Sequence, residues 1–411
     1  MPWQVAIFQI LNPHTMLQEK TSTVVNFEDT ASAFAGMAND ELRKSLLLFK
    51  AMNQPLLVKA GMEAIQRHMR LPWVQRLAEE TLYRQFCGGE SLAACMPGVL
   101  KLQESGVASY LSYSVEGKEE QTGFDRAWVE TMRNIDLAAR SRALPFVVFK
   151  VTALGSTRLL EKMQRGETLK DHEQEAWLQL YSRVEQICLR AYEQDVKLLI
   201  DAGESWLQEP VNDLAEQMMQ QFNRQGPVIY ITLQMYRKDG LKMLQETFRK
   251  SWKNRYFPGI KLVRGAYMQK ERARAIKLRL PDPLHETREA TDEMYNRAVE
   301  FCLVHMNSLG LVLGTHNEKS CQWALQLMKR YNIAPDNPNL YLAQLYGMGN
   351  HISLNLGLKG YNALKCVAYG PAEEAIPYLI RRAEENSSLA CQTSREYSLQ
   401  RQELNRRMRL L

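Results

Sequence analysis

Arg381 and Arg382 stand side by side at the end of a polar helical stretch, with Tyr378 and the apolar run Lys365-Cys366-Val367-Ala368-Tyr369-Gly370 upstream. Planar guanidiniums present paired N–H donors that hold both oxygens of a carboxylate at once. A clamp for a small carboxylate is one reading of the pair; a solvated, charged helix face is the other.

Further chemistry-bearing residues close short apolar runs, where a strand interior would want Val or Ile. Lys150, Asp201, Gln234, Arg264, His316, Leu345 and Tyr369 hold such places. Asp201 can fix the Lys150 ammonium beside an anionic or amine substrate, or the two can tie neighbouring strands together. In Lys261-Leu262-Val263-Arg264-Gly265-Ala266-Tyr267, period two turns Lys261 and Val263 to one face, so Lys261 points inward while Arg264 leads into a loop. An inward cation stabilises negative charge on a ligand, a reduced flavin included; a lysine reaching out to solvent is the alternative. Thr315, His316 and Asn317 offer hydroxyl, imidazole and amide groups to a phosphate or ribose, and Gln234 can address a heterocycle. Cys366 lies in an apolar run with no base spaced to activate it, which favours pocket lining over nucleophilic catalysis.

Positioning these groups takes a scaffold that gathers strand ends. Eight apolar runs, at 107–114, 145–151, 197–201, 228–234, 260–264, 311–316, 340–345 and 363–369, alternate with amphipathic stretches at 124–140, 173–194, 211–222, 241–252, 289–304 and 320–331, and a further one at 372–385 follows the last. Only the link after the seventh run is short of a helical pattern. The alternation predicts an α/β fold, a (βα)8 barrel whose C-terminal strand ends share one mouth. Residues 41–52, 60–69 and 74–86 repeat at helical spacing, so the expected division is an N-terminal helical region over 1–105, a catalytic barrel over 106–390 and a basic tail over 391–411.

The 411 residues are 45% hydrophobic and 24% charged, ordinary for a folded enzyme. Seven scattered cysteines without a CxxC pair read as reduced thiols. The start, residues 1–11, is too short and too weakly charged for a secretory signal, and no run is long enough to span a membrane. No GxGxxG after a strand, GxxxxGK[ST], HExxH or GxSxG is present, and the histidines lack zinc spacing, so no metal site is expected. Net charge is +6, concentrated over 237–279, where 14 Lys or Arg meet three acids. Such a span suits phospholipid, nucleic acid or an anionic ligand; the regular aromatic interleaving of a nucleic-acid surface is missing, so no nucleic-acid partner is expected.

Over residues 41–409 the chain resembles bacterial and mitochondrial proline dehydrogenases, most sharply at Gln85-Phe86-Cys87-Gly88-Gly89-Glu90, Tyr113-Ser114-Val115-Glu116-Gly117, 262–267, 314–317, 344–349 and 378–386. The resemblance implies a distorted TIM barrel carrying FAD and oxidising L-proline to Δ1-pyrroline-5-carboxylate. It implies that Arg381 and Arg382 bind the substrate carboxylate, assisted by Lys150, while Asp201 orders that corner. Tyr267, Leu345 and Tyr378 would line the pyrrolidine ring. Lys261 falls at a flavin-contacting arginine, Gln234, Arg264, Thr315, His316 and Asn317 fall at cofactor positions, and Glu90 matches a glutamate that pairs with a pocket arginine to gate access.

The chain departs from the family in the pocket itself. Where members read Lys-Tyr-Val-Pro-Tyr-Gly it has Lys365-Cys366-Val367-Ala368-Tyr369-Gly370, so Cys366 replaces a tyrosine that packs against the far edge of proline. Relatives that oxidise hydroxyproline also carry a small residue there, which makes hydroxyproline the alternative substrate. The family implies a membrane quinone as electron acceptor. The basic span and the arginine-rich tail suggest peripheral contact with anionic lipid, on the inner face of a bacterial membrane or, alternatively, the matrix side of the mitochondrial inner membrane.

Overall fold

The computed structural model describes residues 25–54, 61, 64–65, 67–68, 71–114, 120–376, 379 and 389–410. Among the described residues nine strands, all parallel, form one sheet: β1 (Cys87–Gly89), β2 (Val107–Tyr113), β3 (Phe146–Lys150), β4 (Lys197–Asp201), β5 (Ile229–Gln234), β6 (Gly259–Val263), β7 (Gly310–Gly314), β8 (Leu340–Leu345) and β9 (Ala363–Tyr369). β2 to β8 pair in chain order, and β9 pairs with both β8 and β2, which closes an eight-stranded barrel. This is the expected distorted TIM barrel, with helices on its outside and N-terminal helices ahead of its first strand. β1 was not expected. It pairs with the end of β9, at Ala368 and Tyr369, beyond the point where β8 stops.

Parallel strands buried on both faces need apolar residues at nearly every position, which is why the runs were conspicuous in the sequence. Tyr110, Phe146, Val148, Leu199, Tyr230, Val312, Ala343 and Leu364 pack inside the barrel. A larger cluster fills the space between strands and helices. Tyr230 takes up much of the barrel's base because β6 and β7 begin with glycine: a Cβ on Gly259 would lie 2.6 Å from the Tyr230 ring, and one on Gly310 2.4 Å from its hydroxyl.

Three further features differ from expectation. The link after β8 holds a helix, Asn350–Leu358, whose His351, Ile352, Ser353, Asn355 and Leu356 are all buried, so it shows no polar face and no 3.6-residue pattern. A second helix, Met268–Leu278, precedes Arg288–Val304 after β6. The segment read as a basic tail forms the helix Leu389–Met408, seated on the N-terminal helices: Leu399 packs with Phe34 and Leu42, and Arg407 donates to the carbonyls of Phe34 and Met37 at 2.6 and 2.8 Å.

Candidate active site

Strand parity builds the site. In β2, β4, β5, β7, β8 and β9 residues an even number of places beyond the barrel-interior set bring Ser112, Asp201, Gln234, Gly314, Leu345 and Cys366 to the C-terminal mouth, Lys261 joins them from β6, and each lines one cavity of about 290 Å³. Arg264, Tyr267, Thr315, His316 and Asn317 line it from the loops above β6 and β7, because β6 ends at Val263 and β7 at Gly314, earlier than expected. Phe86 and Leu379 close it from outside the barrel. Tyr369, grouped by sequence with the mouth residues, has the opposite parity: its hydroxyl meets Glu130 at 3.1 Å and its ring packs on Tyr113.

At the floor Lys261 is buried, its Nζ 2.7 Å from Asp201 Oδ1 and 5.3 Å from the centre of the Tyr110 ring. Thr232 Oγ1 donates to the same carboxylate oxygen at 3.1 Å. Lysine reaching out to solvent is therefore ruled out. The carboxylate that sequence reading placed with Lys150 meets Lys261, two strands away. Lys150 stands beside Asp201 in the β3–β4 register but is not among the cavity-lining residues.

Arg264 is a hub. It donates to Asp292 at 2.5 Å, Thr315 Oγ1 at 2.6 Å and Ser320 Oγ at 2.9 Å, and its guanidinium lies 4.4 Å from the Tyr295 ring centre. Asn317 caps the helix Glu318–Arg330 through Ser320 N and donates to Asp292 at 3.2 Å. Gln234 donates to Gly203 O at 2.8 Å, and the Tyr267 hydroxyl to Ala202 O at 3.3 Å, which pins the loop after Asp201.

His316 accepts from Leu345 N through Nε2 at 3.1 Å, so its neutral ring carries the proton on Nδ1. Burial, with Lys365, His351 and Arg264 as neighbouring cationic groups, lowers its pKa to about 3. The imidazole is thus a fixed neutral group. The loop it holds is anchored elsewhere as well: Lys365 Nζ reaches Met348 O at 2.5 Å and Leu345 O at 3.2 Å, Gln85 donates to Gly347 O at 2.6 Å, and Gly349 N donates to Glu396 at 2.5 Å.

Glu90 is exposed just after β1 and does not line the cavity. Cys366 is half-buried and lines the cavity. Tyr378, Arg381 and Arg382 lie outside the described residues. Sequence reading missed Thr232, Asp292, Ser320 and Lys365. Thr232 was within reach, two residues before Gln234 on the same strand face; the other three become partners only through long-range contacts.

The arrangement offers a largely apolar cavity with a buried cation at Lys261, suited to a heterocycle that gains negative charge. A cluster of three or more His, Cys, Asp or Glu arranged for a metal is absent among the described residues.

A profile of the proline dehydrogenase family matches residues 95–395. The carbapenem antibiotics biosynthesis protein CarD of Pectobacterium carotovorum is 33% identical over 79% of this chain and 84% of its own length. Hydroxyproline dehydrogenase of Bos taurus is 33% identical over 90% of each. Among solved structures, proline utilization A of Bdellovibrio bacteriovorus matches with a TM-score of 0.68 at 16% identity, over 88% of this chain and 38% of that one. The chain thus spans about two fifths of that longer protein, and at this identity the likeness is one of fold.

Proposed function

The chain belongs to the proline dehydrogenase family, and from that premise we propose that it oxidises L-proline to Δ1-pyrroline-5-carboxylate with FAD as its resident cofactor. What supports the reading is the Lys261–Asp201 pair, buried beneath a cavity that Gln234, Arg264, Thr315 and Asn317 also line, polar groups that we assign to the flavin.

The residues suit that group. Gly314 presents no side chain on the floor, where a Cβ would lie 2.9 Å from Val263. Lys261 supplies a fixed positive charge for the reduced ring, and Asp201 keeps the ammonium aimed. When bound, FAD supplies the hydride acceptor. Arg381 and Arg382 grip the substrate carboxylate, with Lys150 beside Asp201 in support, and so aim the ring carbon next to nitrogen. Tyr267, Leu345, Cys366 and Tyr378 enclose the pyrrolidine ring. Loss of hydride from that carbon needs the nitrogen lone pair free, so the neutral amine is the reactive form.

Electrons then pass to a quinone dissolved in a membrane. No helix among the described residues is long and apolar enough to cross one; the attachment we propose is peripheral, at the inner face of a bacterial membrane. Eight of the 14 cations over 237–279 are held in ion pairs, among them Lys250 with Glu216, Arg264 with Asp292 and Arg274 with Glu161, so the charge available to lipid is smaller than composition suggests.

Anaerobic titration of the yellow protein with L-proline tests the reading. Bleaching of the visible flavin bands is the expected result; a spectrum unmoved by proline and hydroxyproline alike would refute it.

A further inference from the structure

Between β6 and the helix Arg288–Val304 the chain makes an excursion, the helix Met268–Leu278 and a bend after it. The far end of this helix reads Ile276-Lys277-Leu278-Arg279-Leu280. Ile276 is 79% exposed, Leu278 47% and Leu280 56%. Single exposed aliphatic side chains are ordinary on a protein surface, but three within five successive residues form a patch. The turn fixes their display: Arg279 is left-handed, at φ 55°, and Leu280 N returns to Ala275 O at 2.9 Å.

Lys277 and Arg279, both exposed, interleave with the three aliphatics. Nearby cations have acidic partners, Lys270 with Glu204, Arg272 with Asp282 and Arg274 with Glu161, and the acid within the helix, Glu271, is buried against Ser205. The apolar patch is therefore net positive. An anionic bilayer complements both properties, with its acyl boundary taking the aliphatics and its phosphates the cations. A second copy of the chain fits less well, since two identical cationic patches meeting across a two-fold axis would repel.

We propose that Ile276, Leu278 and Leu280, flanked by Lys277 and Arg279, form an insertion patch that seats the protein on an anionic lipid surface. This rests on the reading above in one respect, that the electron acceptor is dissolved in the bilayer. Tyr267, in the cavity wall, precedes the first residue of the helix, and the patch lies about 16 Å further along its axis at 1.5 Å per residue. Seating the patch thus brings the cavity within short reach of a lipid-soluble carrier.

Co-sedimentation with phosphatidylcholine vesicles, pure or with about one third phosphatidylglycerol, tests the patch. The native holoenzyme is expected to bind the anionic vesicles at low salt and not the neutral ones. Ile276→Ser/Leu278→Ser/Leu280→Ser and Lys277→Glu/Arg279→Glu should each lower binding at least tenfold while bleaching with proline in vesicle-free buffer is unchanged. Native protein that stays in the supernatant, or variants that bind within twofold of native, would overturn the proposal. Conversion of a native dimer to monomer by the triple Ser variant, without vesicle binding, would assign the patch to a second copy and overturn it too. Should the Ser variant not fold, the charge-reversal variant decides alone, because both its side chains are exposed. Failure of native protein to bleach with proline would refute the enzymatic reading and leave the vesicle result standing on its own.

Discussion

Asp201 Oδ1 sits 2.7 Å from Lys261 Nζ, joining β4 to β6 across β5, whose Thr232 donates to the same oxygen. With side chains 7% and 21% exposed, the pair is mostly desolvated, and removing one partner strands the other charge. Lys261→Met should cost roughly 2–3 kcal/mol in urea unfolding, below the fully buried range because Asp201 keeps some water. Proline-dependent flavin reduction should slow by about 100-fold, the loss typical of one preorganised charge. Lys261→Arg should recover most of that rate. Stopped-flow reduction within threefold of native in the Met variant would show that the cation does not act on the reaction.

Lys365 carries a second prediction. It is fully buried on the outward face of β9, holds two carbonyls of the loop bearing Leu345 and Tyr346, and has its pKa lowered to about 7 by burial, partly opposed by Glu396. Removing the ammonium leaves two carbonyls without their donor and buried Glu396 without a neighbouring cation. Lys365→Met should therefore lower the unfolding free energy by roughly 2–4 kcal/mol and raise KM for proline about tenfold as the pocket wall loosens, with kcat changing less. A KM unchanged within twofold would mean that the other anchors hold the loop unaided.

The barrel was legible because its chemistry is local. Lys197–Asp201, Leu340–Leu345 and Ala363–Tyr369 end where the apolar runs end, since a strand buried on both faces declares itself by composition alone. Inward Lys261 followed from period two. The misses share the opposite cause. β1 is three residues, two of them glycine, and exists only because the end of β9 is free to pair. Glu396 meets Gly349 and Lys365 meets Met348 only after the C-terminal helix and the loop after β8 have docked. The charge run over 237–279 looked like an open patch because its acids, such as Glu161, Glu216 and Asp292, lie far away in sequence.

His316 and Glu318 should each contribute to the acid limb of stability, over different pH ranges. For His316 the folded pKa, about 3, lies below the ordinary 6.5, so between those values the unfolded chain binds more protons. Its contribution is complete above pH 6.5 and is lost as pH falls toward 3. Burial pushes the Glu318 carboxyl up, but hydrogen bonds from His351 and Arg395 outweigh it and leave the pKa at about 2, so its contribution is complete above pH 4.5 and fades below. His316→Gln should flatten the unfolding free energy between pH 6.5 and 4.5 and spare the steeper fall below 4.5. Denaturant titrations across that range that superimpose for native and variant would exclude His316 as the source.

Cys366 bears on substrate choice. It lines the cavity from the inward face of β9, half-buried, at the position where the resemblance to the family implies a tyrosine. A thiol leaves open the volume a phenol would fill and offers no strong hydrogen-bond donor, so a ring hydroxyl on the substrate meets space instead of a side chain. The native protein should accept hydroxyproline, and Cys366→Tyr should shift the kcat/KM ratio toward proline by about tenfold, the discrimination expected from filling a small pocket. Steady-state rates with both amino acids give that ratio directly. A ratio equal in native and variant would place substrate selection elsewhere in the pocket wall, at Tyr267 or Leu345.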